Sequence, residues 1–325
     1  MFKKNPHLIK RILIVAKFLY PEFKHLINEL ASFDPHNSQR KFKEMLIMES
    51  HIIEKGLSLK DTRIGFGVPK IKKLLHELSL YDKKYNDQET LFFVLSIVEA
   101  YLHFNMEQGE CDAEIKAMYD ELKSHLKEGE AYTNLCGGTI QLNKNDIRKH
   151  SSFDYEDFVK SRHSIRQFTG EEIPLDSIQK ALAIAEYTPS ACNRQPWRNY
   201  IFTKKENIIK ILDIQTGARQ FKNDVSCLIL ITATANAFLV GEAHQQYVNG
   251  GLYAMNLMLA LHAMGLGAIP LNMGITRDRE KAISSICGLD SSDTPILLIA
   301  VGQIPDQFEV AKSCRFPFTE YTKFD

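Results

Sequence analysis

Apolar side chains recur at three- and four-residue spacing through most of the first 127 residues. That period predicts helices over Arg40 to Lys55, Val68 to Leu80, Glu89 to Asn105 and Ala113 to Leu126, with turns at Pro35, Gly56, Gly65/Gly67 and Gly109. Ahead of them Leu8/Ile9, Ile12/Leu13, Ala16, Leu19/Tyr20 and Phe23 form one more stripe, with Lys10, Lys17 and Lys24 on another face. The expectation is a helix packed on its own domain rather than on a membrane surface. The period is lost in EGEAYTNLCGGTIQLNKNDIRKHSS, centred on Gly137-Gly138. Beyond Asp154, helices alternate with β-rich runs at Asn199 to Thr203, Cys227 to Thr232 and Ile296 to Val301. The pattern therefore predicts an all-α N-terminal domain over residues 1–127, a linker over 128–152 and a mixed domain over 153–325.

Composition narrows the class without choosing a function. A chain of 325 residues can bury two cores without disulfides or metal. Forty basic residues balance forty acidic ones, which argues against nucleic acid or an anionic membrane as an overall partner. Cys111, Cys136, Cys192, Cys227, Cys287 and Cys314 are scattered with no zinc spacing, as expected of free thiols in a reducing, cytoplasmic compartment. Lys17 breaks the first apolar run and no small-x-small cleavage site follows it, so a signal peptide is not expected. The longest apolar stretch, Gly250 to Leu271, holds Asn256, His262, Gly265, Gly267 and Pro270, and suits a buried or subunit-interface helix with its exit turn better than a membrane span.

Candidate chemistry concentrates in the second half. In SRHSIRQF, Arg162, Ser164 and Arg166 alternate, so on an extended segment two guanidiniums and a hydroxyl face one way and can hold an anion; the same pattern also occurs on solvated strands. In TPSACNRQPW, which follows a helix from about Asp176 to Glu186, Asn193 and Gln195 offer amide edges suited to a planar heterocycle. It reads equally as an ordinary helix-to-strand connection, with Trp197 in the core. The backbone turn from Pro270 to Gly274 can present N–H groups to a ligand, and Lys312 and Arg315 in AKSCRFPF are either solvated or a further pair of cations.

Taken in order, SRHSIRQF, TPSACNRQPW, GGLYAMNLMLALHAMGLGAIPLN and KSCRFP resemble the FMN-dependent nitroreductase family over roughly Tyr155 to Tyr321. The resemblance implies an α+β, nitroreductase-like fold with a mainly antiparallel sheet flanked by helices, in a homodimer that binds FMN at the subunit interface. It implies a phosphate and ribityl site at Arg162, His163, Ser164 and Arg166, completed by Lys312 and Arg315. It implies that Pro189, Ser190, Ala191, Asn193 and Gln195 line the flavin ring, with Pro270, Leu271, Asn272 and Gly274 on its other side. The expected activity is NAD(P)H-dependent reduction of a quinone, nitroaromatic or other electrophile by ping-pong hydride transfer, with no protein acid or base assigned and no metal. A flavin-binding assembly or regulatory protein without turnover, and a dehydrogenase or dehalogenase of the same fold, stand as alternatives. Two positions depart from the family pattern: Ala191, where many members have a second Ser, and Asn272, often Glu or Gly. Cys192 is either redox active or a buried thiol.

The helical half lies outside the minimal family fold. His51 with Ile52 to Gly67 resembles a segment of longer nitroreductase-like proteins. His51, Glu54 and Lys55 form either a polar cluster or a solvated helix end, and Gly65-Phe66-Gly67 suggests a tight loop over a flavin site.

Overall fold

The computed structural model describes residues 6–59, 62–127, 136–141, 153–311, 313, 315 and 317–325. In the first half the described helices are α1 (Pro6–Glu29), α2 (Gln39–Leu57), α3 (Val68–Tyr85), α4 (Gln88–Glu107) and α5 (Ala113–Lys123). Short polar side chains start three of them: Ser38 accepts from the Lys41 N–H, Asp87 from the Thr90 N–H, and Asp112 from the Glu114 and Ile115 N–H groups. Leu46, Ile71, Leu74, Leu91 and Ile97 are fully buried where α2, α3 and α4 meet, each stabilising the unit by roughly 2 kcal/mol.

Phe66 belongs to this core. Its ring meets Tyr101 edge-on at 5.3 Å and lies where a Cβ on Gly56 would stand, 2.2 Å away, while Asn105 accepts the Gly65 N–H. The Gly65-Phe66-Gly67 loop is thus committed inside the helical unit. His51 and Glu54 are a half-buried cluster rather than a solvated end: they meet at 2.9 Å, and the other Glu54 oxygen accepts the Gly138 N–H at 2.8 Å. Gly137 donates to Ser96, and a Cβ there would lie 2.1 Å from Ile97. The middle of the expected linker is therefore seated on α2 and α4; the rest of residues 128–152, apart from 136–141, lies outside the described residues.

α1 departs from expectation. Ile9, Leu13, Tyr20, Phe23 and Ile27 are all exposed, so these described members of the apolar face do not pack on the protein's own domain. Leu26, near the end of α1, and Leu30 just beyond it meet Phe238 of the second half. Periodicity shows that a helix has an apolar face, not what that face touches.

The second half continues with α6 (Tyr155–Ser161), α7 (Leu175–Ala185), β1 (Trp197–Phe202), α8 (Lys205–Gln215), β2 (Cys227–Thr234), α9 (Gln245–Ala263), β3 (Gly267–Asn272), α10 (Arg277–Cys287) and β4 (Asp293–Gly302). The strands form one antiparallel sheet in the order β1-β2-β4-β3. Alternation along β2 sends Cys227, Ile229 and Ile231 to a face covered by α7 and α9, and Leu228 and Leu230 to a face covered by α8. This is the helix-flanked antiparallel sheet that the resemblance implied, preceded by the helical half.

β3 corrects the sequence reading, which took Pro270 to Gly274 as a turn. Pro270 lies within a strand, opposite Ile299, and of that span Met273 and Gly274 alone are irregular chain. The proline is tolerated because β3 is the edge strand of the sheet, and the bridge on its outer side is made at Ala268, two residues before Pro270. Gly267 starts the strand instead of ending the helix: Phe168 packs 3.0 Å from where its Cβ would be.

The two halves meet at one end of the sheet. Arg40 of α2 donates to Ser292 at 2.8 Å and to Asp293 at 3.0 Å, and Asp293 also accepts the Tyr200 hydroxyl. Among the described residues no helix is long and apolar enough to cross a membrane.

Candidate functional site

α9 organises the predicted site residues into two groups. Its Gly250 lies tight on the sheet, since a Cβ there would stand 2.6 Å from Ile296. Near its start, the Asn249 side chain accepts the Ala191 N–H at 2.8 Å. One residue before its end, His262 meets at 2.8 Å the hydroxyl of Ser161, the residue that precedes Arg162. These anchors are thirteen residues apart, about 20 Å at 1.5 Å per residue.

At the first end, Pro189 to Gln195 leaves α7 and turns sharply. Cys192, Asn193 and Gln195 all have left-handed φ, at 50°, 51° and 47°. Asn tolerates that region through its short polar side chain, whereas Cys and Gln are strained there. The loop persists because its surroundings over-determine it. Ser190 accepts the Gln195 N–H at 3.0 Å, and Arg194 turns inward with its side chain 1% exposed. Arg194 donates to the Ala191 and Ala237 carbonyls and makes a two-pronged pair with Glu242 at 2.7 and 2.8 Å. The Arg194 bond is also what holds the Glu242 carboxyl below the ordinary carboxylate range. With Arg194 facing in, Asn193 and Gln195 are left exposed. Trp197 closes the base, stacked on Tyr253 at 4.7 Å.

At the other end, Arg162 to Arg166 runs in extended form beside β3. Ser164 bridges to Ala268, the Ile165 N–H donates to the Ala268 carbonyl at 3.2 Å, and buried Ile165 and Phe168 fix the segment from below. Arg166 is exposed, and among the described residues its guanidinium donates to the Ser164 carbonyl at 3.3 Å. Among the described residues neither Arg162 nor Arg166 is paired with a carboxylate. Burial first, and then the neighbouring Arg162 and His163, hold the His262 imidazole below its ordinary pKa.

β3 carries Pro270, half-buried, Leu271, buried, and Asn272, exposed. The Asn272 side chain accepts the Gly274 N–H at 3.0 Å, and its carbonyl accepts from Gln215. The bridge at Ala268 thus joins the Arg162–Arg166 segment to the strand that leads to these residues. The C-terminal chain returns to the same region, where the Glu309 N–H donates to Gln167 at 3.4 Å. Arg315 is exposed and donates to the Ser313 carbonyl, whereas Lys312 and Cys314 lie outside the described residues. Two residues that hold the loop, Arg194 and Asn249, escaped the sequence reading. A buried arginine looks like a solvated one until its partner, forty-eight residues away, is known.

Residues 159–303 match the family model described as "Nitroreductase family". This half of the chain is a nitroreductase-family domain. A Methanothermobacter thermautotrophicus protein named for NADH dehydrogenase or NAD(P)H nitroreductase activity is 26% identical over 154 residues, 47% of this chain and 79% of the relative. A Caenorhabditis elegans iodotyrosine dehalogenase 1 homolog is 22% identical over 284 residues, 72% of this chain and 84% of the relative. That match covers more residues than 153–325 contains, so it extends beyond the nitroreductase domain into the helical half. A solved Desulfovibrio desulfuricans protein, described as a nitroreductase in complex with FMN, is 23% identical with a TM-score of 0.47, covering 54% of this chain and 98% of that one. In the nitroreductase domain Ala191 contributes its backbone N–H to Asn249, so the side chain missing at this position is not used to hold the loop. Cys192 is half-buried and unbridged.

Proposed function

We propose that the nitroreductase domain binds FMN and passes electrons from NADH or NADPH to a quinone, nitroaromatic or other electrophilic acceptor. The observation that carries this reading is the pair of sites on α9, one an unpaired cationic segment and the other a rigid amide-bearing loop, in a domain that matches the nitroreductase family. When bound, FMN would supply the hydride chemistry, and donor and acceptor would use the site in turn, in ping-pong order.

The residues present fit that group. Arg162 and Arg166 carry charge that no carboxylate neutralises among the described residues, so they can pair with a phosphate, assisted by the Ser164 hydroxyl and His163. Lys312 and Arg315 would add to the same cluster. Ser190, Asn193 and Gln195 would direct donors and acceptors at the ring edge, with Pro189 and Ala191 as apolar wall, and Pro270, Leu271, Asn272 and Gly274 would bound the other side. With about 20 Å of helix between the anchors of the two groups, we read the site as shared between two copies. A second copy would supply the missing half. Val248, Leu252 and Met255 form an exposed stripe along α9 between the two ends, an apolar face suited to that homodimer.

A dehalogenase-type reaction is the second reading, favoured by the nematode relative whose match extends into the helical half. The test is anaerobic. Protein loaded with FMN should bleach on addition of NADH or NADPH and regain its colour with quinones or nitroaromatics. Reoxidation by a halogenated phenol with halide release would favour the second reading, and a flavin that neither nicotinamide bleaches would contradict the first.

A further inference from the structure

A cavity of about 190 Å³ lies where α2 meets the loop after α7, away from the exposed amides of Asn193 and Gln195. Met45, Met48 and Leu239 form apolar wall, and Glu44, Glu49 and Arg194 bring charge to it. Glu44 is 5% exposed. One oxygen of Glu44 and one of Glu49 are buried without a hydrogen-bond partner. Such oxygens are costly unless a donor reaches them.

The neighbouring cations are already committed. Arg194 is held by Glu242 and two carbonyls, and Arg40 by Ser292 and Asp293. Lys41 donates to the Asn28 and Phe33 carbonyls, Lys43 faces Asp87 and Glu89, and Lys73 takes the other oxygen of Glu49. Arg198 comes no nearer than 3.9 Å to Glu44 and donates to the Gln195 and Trp197 carbonyls. Two carboxylate oxygens of residues that line an apolar hollow thus lack a donor among the described residues.

We propose that this cavity is a binding site for a small organic cation, a primary ammonium group on a compact apolar body. An ammonium has three donors and no acceptor, which suits two under-used carboxylates. The thioethers of Met45 and Met48 adapt to the body, and a cavity near 150 Å³ holds a benzene-sized molecule, which sets the scale of the ligand. An anion would meet the two carboxylates, and a neutral alcohol would leave Glu44 with no cation among the described residues nearer than Arg198 at 3.9 Å. The assignment stands independently of flavin binding.

The test is calorimetry on the full chain, with n-butylammonium chloride as the probe and n-butanol as the neutral control. Saturable binding of one n-butylammonium per chain is expected, at least tenfold tighter than n-butanol. Glu44→Gln should weaken it at least tenfold, and Met48→Trp, which fills the hollow, should abolish it while the thermal transition stays cooperative. Binding should also tighten about tenfold from pH 6 to pH 8, because burial holds the Glu44 carboxyl at about 7 against the pull of Arg198, Arg40, Arg194 and Lys43, with Glu49 the other carboxyl on the wall. No saturable binding at millimolar probe, equal affinity for n-butanol, or unchanged affinity in Glu44→Gln would overturn the proposal.

Discussion

The two ends of α9 are built on opposite principles. The Pro189–Gln195 loop is strained and over-determined: three left-handed residues are clamped by Asn249, Ser190 and a buried arginine pair. The Arg162–Arg166 segment has ordinary extended backbone, little side-chain bonding and charge left open to solvent. One end spends folding energy to fix a shape, and the other leaves cations uncompensated for a partner to neutralise. Mutations at the first end should therefore register in stability, and those at the second in binding.

The sharpest break of that contrast would come at Arg194. Arg194→Ala takes the donor from the buried Ala237 carbonyl and both guanidinium bonds from half-buried Glu242, which keeps only the Leu239 N–H, and should cost about 3–4 kcal/mol, read as a fall in melting temperature of roughly 10 °C. Next comes Glu44, at the rigid end. Burial raises its carboxyl from 4.5 to about 7, so the folded state holds the proton more tightly than the unfolded chain. Its contribution is full below about pH 4.5 and is lost as pH rises through 7, amounting to about 3 kcal/mol. Denaturant melts at pH 5 and pH 8 should show that loss in the wild type and a smaller one in Glu44→Gln.

At the open end, Arg166→Ala should leave the melting temperature of the flavin-free protein within about 1 °C, yet weaken FMN about 10- to 100-fold, as measured by fluorescence quenching. A large loss of stability would show that the segment is not held in reserve for a ligand. The smallest effect belongs to Cys192→Gly, which relieves a left-handed cysteine and should change stability by no more than about 1 kcal/mol in either direction, because the gain is offset by a freer unfolded chain.

The sequence made much of this visible. Three of the four strands, and every helix predicted in the first half, stand where period and breakers put them, because local patterning decides such elements. β3 was missed because Pro270 and two flanking glycines look like a turn until the strand is known to lie at a sheet edge. The exposed face of α1, the seating of Gly137 and Gly138 on the helical unit and the Arg194–Glu242 pair depend on residues far apart in the chain. Of the candidate site, the residue types and their order were legible. Their division between two ends of one helix was not, since it follows from how α9 lies on the sheet.

That division is the central claim, and mixed dimers test it directly. One variant carries Arg162→Ala and Arg166→Ala, the other Asn193→Ala and Gln195→Ala, and each alone should bind little FMN. If the cations of one copy and the loop of the other form each site, exchanging subunits between the two variants should restore wild-type affinity at about a quarter of the wild-type number of sites. No recovery after verified subunit exchange would place both halves of the site in the same copy and contradict the account.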